Sequence, residues 1–372
     1  MKRYYLGLNA NGPKASRCLF MRGNSGDLRL LSDFLAKRYG GTTMLTKNGR
    51  SALTIALESY FEPGDKIIVN AFTCYAVYEA VIEAGMVPVF ADIDEKTLNF
   101  NEKTLDVFWE DTATHANRIK GIIVQNSLGN PVDMEKIEKF AKKRDLLIVE
   151  DLAHSAGVKY HDGREAGTVG VATALSFGKD KSINAISGGA VILREPVKHE
   201  VEAPVKAPRL SDYLKSRFYP FFCTICRGLN NVHLGGVLMK ILIKIHWVER
   251  SADNKLSLTR RLAKFQARLA LGDFQKFYHH NEGVLRGFYL VNNRAEVLAK
   301  LRKAGYFFDS FWYEKPVSPE RYYKEIKFPE KSCPVAMKVT KEIINFPVYY
   351  TKKDLKEAHE IIEPYLIGGE NE

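Results

Sequence analysis

Cysteine is scarce in this chain of 372 residues, with five in all: Cys18, Cys74, Cys223, Cys226 and Cys333. So few, so scattered, cannot make a disulfide framework, and a reducing cytoplasm is the expected setting. No apolar run reaches the roughly 18 residues of a membrane-spanning helix. The opening residues, Met1-Lys2-Arg3-Tyr4-Tyr5, lack the uninterrupted apolar stretch of a secretory leader. No internal repeat or low-complexity tract stands out. The pair Cys223-Thr224-Ile225-Cys226 has no second CxxC to complete a four-ligand zinc site, and its spacing to His233 or His246 matches no regular motif. Buried thiols in an apolar helix are the preferred reading, so no metal is expected. A formal charge of +11 comes without any aromatic–basic nucleic-acid module. Acidic substrates, such as nucleotide diphosphates, or an anionic membrane surface account for it at least as well.

Short apolar runs alternating with helical patterns fill the region from about residue 50 to residue 195. The runs are Lys66-Ile67-Ile68-Val69, Val87 to Ala91, Gly121-Ile122-Ile123-Val124, Leu146 to Val149, Ala174 to Phe177 and Ala190 to Leu193. Continuous apolar character, without strict alternation, marks strands covered on both faces by helices. Met134 to Arg144 reads as one such helix, with Asp133 as its N-cap. The reading is an α/β domain with a mainly parallel sheet, its binding residues lying beyond the carboxyl ends of the strands. At 45% apolar residues the chain can support one large and one smaller domain.

Leu146-Leu147-Ile148-Val149-Glu150-Asp151 ends a buried run in acid, and Ser176-Phe177-Gly178-Lys179-Asp180-Lys181 follows about 25 residues later, ahead of Gly188-Gly189. A carboxylate at a strand end, a Ser-Phe pair and a lysine before a Gly-Gly strand suit a pyridoxal phosphate (PLP) site. Lys181 forms the imine and moves the proton, Asp151 keeps the pyridine nitrogen protonated, and Ser176 bonds phosphate. Lys179 is the fallback for the lysine. Asn48-Gly49-Arg50-Ser51 precedes a helical run, so Gly49, Arg50 and Ser51 form a candidate phosphate cradle at a helix N-terminus. Taken alone, that stretch is an ordinary capped helix start, and Asp151 an ordinary N-cap.

These segments, with Pro63-Gly64-Asp65, Pro88 to Asp94, Gly129-Asn130-Pro131-Val132-Asp133-Met134 and Glu150-Asp151-Leu152-Ala153-His154, resemble in order and spacing the DegT/DnrJ/EryC1/StrS family. The resemblance covers about Leu35 to Arg194 and Thr259 to Leu366. It implies a fold-type I PLP-dependent transferase, with a large domain over 1–203, an inserted basic, apolar helical segment over 204–258 and a small α+β domain over 259–372. It also implies an aminotransferase that moves an amino group from an amino acid, glutamate by resemblance, to a nucleotide-linked keto-sugar. The product would enter a polysaccharide or glycoconjugate, and the enzyme would be a cytoplasmic homodimer. His154 falls at a Gln-or-His position near the cofactor's 3-oxygen. Two positions depart from the family pattern: Cys74 where an aromatic ring stacks on PLP, and Thr259 where an asparagine reaches the partner subunit's phosphate.

Two rival readings stand beside this one. A dehydratase relative would carry histidine in place of the lysine, which Lys181 speaks against. A non-catalytic or regulatory PLP-binding protein rests on Cys74 and Thr259. In the insert, Leu234 to Val248 reads either as a basic amphipathic helix on an anionic membrane or as a helix covering the site or a dimer interface, its lysines snorkelling. The second is preferred, and a weak peripheral membrane contact through 205–250 stays open.

Overall fold

The computed structural model describes residues 18, 20–112, 118–179, 181–201, 210–229, 234–247, 264, 267–274, 285–306, 313–347 and 352–367. Helix α1 (Ser25–Tyr39) leads to strand β1 (Thr42–Thr46) and helix α2 (Gly49–Tyr60). Then come β2 (Lys66–Asn70), the short β3 (Thr73–Cys74), α3 (Tyr75–Glu83), β4 (Val87–Ala91), α4 (Glu102–Thr112), β5 (Ile119–Gln125), α5 (Met134–Lys143), β6 (Leu147–Asp151), β7 (Ala172–Ser176) and β8 (Gly189–Leu193). Seven of these strands form one sheet in the order β1-β8-β7-β6-β5-β2-β4. β4, β2, β5, β6 and β7 run parallel, whereas β8 lies antiparallel between β7 and β1. The apolar runs of the sequence thus become the strands of a helix-covered sheet. β1 was not expected: Thr42-Thr43-Met44-Leu45-Thr46 has no apolar run, and its pairing with β8 is what makes it a strand.

Strand alternation divides the interior in two. Ile68, Ile122, Val124, Ile148 and Ile192 face one core with α1 and α5, while Ile67, Val69, Ile123, Val149 and Val191 face the other with α2 and α3. Asp133 caps α5 by accepting from the Lys136 N–H at 3.3 Å, as its place in the sequence suggested.

At the end of β6 the same alternation turns two neighbouring carboxylates to opposite sides. Glu150 is fully buried and accepts four hydrogen bonds, from the Tyr160 hydroxyl (2.8 Å) and from the N–H groups of Gly167 (2.6 Å), Val169 (2.8 Å) and Gly170 (2.7 Å). Arg194, just past β8, bonds the carbonyls of Gly170 (2.6 Å), Tyr39 (2.8 Å) and Gly167. The loop before β7 is therefore held by a carboxylate on its N–H groups and a guanidinium on its carbonyls. Gly167 sits at φ +96, and a Cβ there would lie 2.5 Å from Leu152.

Past the sheet, α6 (Leu210–Leu229) and α7 (Gly235–Lys244) pack together as a helical pair. β9 (Arg286–Leu290), α8 (Arg294–Ala304), α9 (Pro334–Glu342), β11 (Ile343–Pro347) and α10 (Lys352–Ile362) follow, with the two-residue β10 (Val317–Ser318) before α9. β11 pairs antiparallel with β9 over a separate small core containing Val297, Leu301, Tyr306 and Ile362. β10 pairs instead with β3, bringing this part of the chain onto the large sheet's side. The family resemblance also implies a helix over Arg260 to Ala267 opening the small domain, and most of that stretch lies outside the described residues.

Replacing Glu150 by alanine strands three backbone donors, those of Gly167 and Gly170 buried and that of Val169 half-buried. We expect Glu150→Ala to lower the unfolding free energy by about 3 kcal/mol or more in urea titration, and Glu150→Gln, which keeps an acceptor oxygen, to cost less. A Glu150→Ala loss below about 1 kcal/mol would show that the loop is held otherwise.

Candidate active site

The carboxyl ends of β5, β6 and β7, the start of α2 and a segment before β10 enclose one cleft. Gly49, Arg50, Cys74, Asp151, His154, Ser176 and Lys181 all line it, drawn from four separate stretches of sequence. Such convergence at strand ends is where open α/β sheets place ligands. Ser51 is not among its lining residues: its N–H is taken by the Asn48 side chain, which caps α2 at 2.9 Å. Thr259 lies outside the described residues.

Gly49 packs directly on Ser176, so that a Cβ at Gly49 would lie 2.6 Å from that of Ser176. Only glycine lets the helix start come this close to β7. The first-turn N–H groups of a helix have no intrahelical acceptor, and the first two residues of α2, Gly49 and Arg50, line this corner of the cleft. Ser176 Oγ accepts from the Gly178 N–H at 3.4 Å. Arg50 pairs with Glu79 of α3, Nε to Oε2, at 2.7 Å, which ties the two helices together beside the cleft.

Asp151 is held on both oxygens. Oδ1 accepts from the Ala153 N–H at 3.0 Å and Oδ2 from Gln125 Nε2 at 3.1 Å, while Gln125 Oε1 accepts from the Thr73 hydroxyl at 2.7 Å. A carboxylate accepts only, so this chain fixes the orientation of the Gln125 amide. Burial pushes the Asp151 carboxyl above its ordinary range, and the Ala153 N–H, the Lys181 charge and Gln125 counter only part of that push. A cation placed at Asp151 would relieve it.

His154 is buried and its Nδ1 accepts from the Leu128 N–H at 3.2 Å, so the proton of the neutral ring sits on Nε2. Burial, with the nearby charges of Lys181 and Arg286, holds the imidazole well below its usual range and keeps it neutral. The two lysines separate here. Lys181 acts electrostatically on both Asp151 and His154. Lys179, also buried, directs its ammonium over the Tyr219 ring of α6 at 4.2 Å.

Gln125 and Tyr313 were not anticipated from the sequence. Tyr313 lines the cleft at φ +85, its ring 4.1 Å from that of Phe72 and edge-on to His154. Burial, reinforced by Cys74 and Asp151, keeps its phenol protonated. It reaches the cleft because β10 pairs with β3, where the Pro316 carbonyl accepts from the Thr73 N–H at 2.8 Å. Cys74 is half-buried on the wall, and its neighbour Tyr75 stacks on Tyr322 at 4.3 Å. Among the described residues no group of side chains is arranged to hold a metal ion.

An α/β sheet with a lysine beside a buried carboxylate and imidazole at its strand ends defines a class, the fold-type I PLP-dependent enzymes. Residues 29–363 match the model of the DegT/DnrJ/EryC1/StrS aminotransferase family, and the chain belongs to that family. It is 26% identical over 317 residues to the pleiotropic regulatory protein of Geobacillus stearothermophilus, covering 84% of this chain and 81% of that one. It is 33% identical over 154 residues to the GDP-perosamine synthase of Escherichia coli O157:H7, covering 41% of this chain and 40% of that one. Two solved structures share the fold over nearly the whole chain. An aminotransferase of the family from Brucella abortus matches with a TM-score of 0.68 at 20% identity, covering 97% of this chain and 99% of that one. The Escherichia coli GDP-4-keto-6-deoxy-D-mannose-3-dehydratase, solved with bound hydrated PLP, matches with a TM-score of 0.65 at 16% identity, covering 97% and 100%.

The His154 geometry predicts a pH effect on stability. The unfolded imidazole takes up a proton near pH 6.5 and the folded one does not, so acid favours the unfolded chain. Stability is full above that pH and falls as the pH drops below it. His154→Gln, which keeps an acceptor for Leu128, should flatten this fall in thermal melts, whereas His154→Ala should cost about 2 kcal/mol by stranding the Leu128 N–H. An unchanged acid slope in His154→Gln would rule this account out.

Proposed function

We propose that this enzyme transfers an amino group from glutamate to a keto group on a nucleotide-linked sugar, with PLP held through Lys181. The observation that carries the site assignment is that Lys181 lines the same cleft as the buried Asp151 and His154 and acts electrostatically on both. The residues present fit the cofactor on two counts. A buried carboxylate at the end of β6 is short of positive charge, as a partner of a protonated ring nitrogen should be. The close approach of Gly49 to Ser176 leaves a helix N-terminus and a hydroxyl at one corner, the donors a phosphate takes. The bound cofactor supplies the electron sink for the amino acid's carbanion.

The chain's own groups then have distinct tasks. Lys181 would hold the cofactor through its side-chain amine, and the same amine would carry the proton to and from the donor's α-carbon. Asp151 keeps the ring nitrogen protonated, and Gln125 and Ala153 hold that carboxylate in one orientation. Neutral His154 donates from Nε2. Gly49, Arg50 and Ser176 bind the phosphate end; the Ser51 N–H donates to the Asn48 side chain that caps this helix. Cys74 and Tyr313 form the wall beside the ring, Tyr313 restoring aromatic surface where Cys74 offers little. The family's sites form across a homodimer, so Thr259 is assigned to the neighbouring subunit's phosphate and the enzyme to a cytoplasmic homodimer. The nucleotide-sugar substrate class rests on relatives such as the GDP-perosamine synthase, and the basic balance of the chain suits an anionic substrate.

Absorbance spectra of the PLP-loaded protein test this. Wild type and Lys179→Ala should show a lysine-dependent cofactor band that glutamate converts to a shorter-wavelength one, and Lys181→Ala should lose it. A band that persists in Lys181→Ala but disappears in Lys179→Ala would move the assignment to Lys179. A band untouched by glutamate would point to another donor or to a role without amino transfer.

A further inference from the structure

Eight of the fourteen large apolar side chains that stand exposed among the described residues fall between Leu214 and Trp247, on α6, on α7 and just before and after α7. The concentration is greatest on α7. Met239 and Leu242 turn inward, while Val237 (52% exposed), Ile241 (50%) and Ile245 (54%) follow one another at one-turn spacing on the outer face. Lys240 and Lys244 share that face, also one turn apart and exposed. Trp247 closes the row, 38% exposed, with its ring edge-on to Phe222 at 5.6 Å. The helix therefore presents to the outside an apolar stripe edged by cations.

Charge separates the candidate occupants. α7 contains no carboxylate, and α6 contains one, Asp212 in its first turn. A second copy docking by two-fold symmetry would set Lys240 and Lys244 against the same cations, with no acid of that helix to receive them. An anionic bilayer is complementary on both counts: aliphatic side chains enter the boundary between headgroups and acyl chains, lysine stems lie along it with their ammonium groups on phosphates, and tryptophan favours that depth. No helix of the described residues is long and apolar enough to cross a membrane, so the contact is in-plane. We propose that α7 is a docking helix for the surface of an anionic lipid bilayer.

Co-sedimentation of the full chain with vesicles tests this, comparing phosphatidylcholine alone with phosphatidylcholine mixed with phosphatidylglycerol. At low salt the protein should pellet with the mixed vesicles, with a blue shift of tryptophan emission, and should stay in solution with phosphatidylcholine alone. The double variant Lys240→Gln/Lys244→Gln should bind roughly thirtyfold more weakly, about fivefold for each lysine. Ile241→Ser should reduce both pelleting and blue shift. All these positions are exposed, and unchanged melting temperatures will show the fold intact. Failure to pellet with the mixed vesicles, or equal pelleting by the lysine variant, overturns the proposal. So does sedimentation velocity in which Ile241→Glu turns a self-associated species into a monomer, for the face then belongs to a second copy.

Discussion

The end of β6 is the point on which fold and site both depend. Two adjacent carboxylates emerge from one buried strand, and the two-residue repeat of the strand sends them to opposite faces of the sheet. Glu150 turns into the α1–α5 side, where it gathers three backbone N–H groups and a phenol. Asp151 turns into the α2–α3 side, where it meets Gln125 and the Ala153 N–H. The first bond set fixes the loop that leads into β7, and β7 delivers Ser176 and the lysine loop to the cleft. A shift of β6 by one residue would exchange the two carboxylates and undo both.

The electrostatics of the cleft are unbalanced in a way that suits a cationic, phosphate-bearing ligand. Burial disfavours the charge of Asp151 and also that of His154, and Lys181 acts electrostatically on both. Keeping Asp151 ionised in such a place costs folding free energy, since its raised pKa means that stability falls as the pH rises through it. A protonated ring nitrogen offsets that cost when it binds. The imidazole contributes no charge of its own, so His154 acts as a hydrogen-bond donor oriented by the Leu128 N–H behind it.

The helical pair α6–α7 joins the site to the exterior of the molecule. Tyr219 of α6 holds the Lys179 ammonium over its ring at the edge of the cleft. The same helix buries Cys223 and Cys226, as the sequence suggested for thiols without metal partners. On its far side the pair exposes apolar side chains that the chain does not cover by itself. One element thus engages Lys179 on its inner side and exposes apolar side chains on its outer one.

The sequence by itself determined the parallel strands, because a strand covered on both faces is apolar throughout and needs no knowledge of its neighbours. It also determined the Asp151–Ser176–Lys181 arrangement and the Asn48 helix start, since each depends on spacing along a strand end or a first turn. What only the tertiary structure decided is whatever depends on a distant partner. β1 is a strand because β8 pairs with it, not because of its own residues. Gln125 belongs to the site because Thr73, 52 positions away, takes one side of its amide. Tyr313 belongs to it because two residues of β10 bond to β3. Ser51 was placed in the cleft by spacing, but Asn48 takes its N–H, and it stays out of the lining. Local pattern records the covalent order and periodicity of the chain, whereas these contacts close long loops whose ends carry no mark of each other.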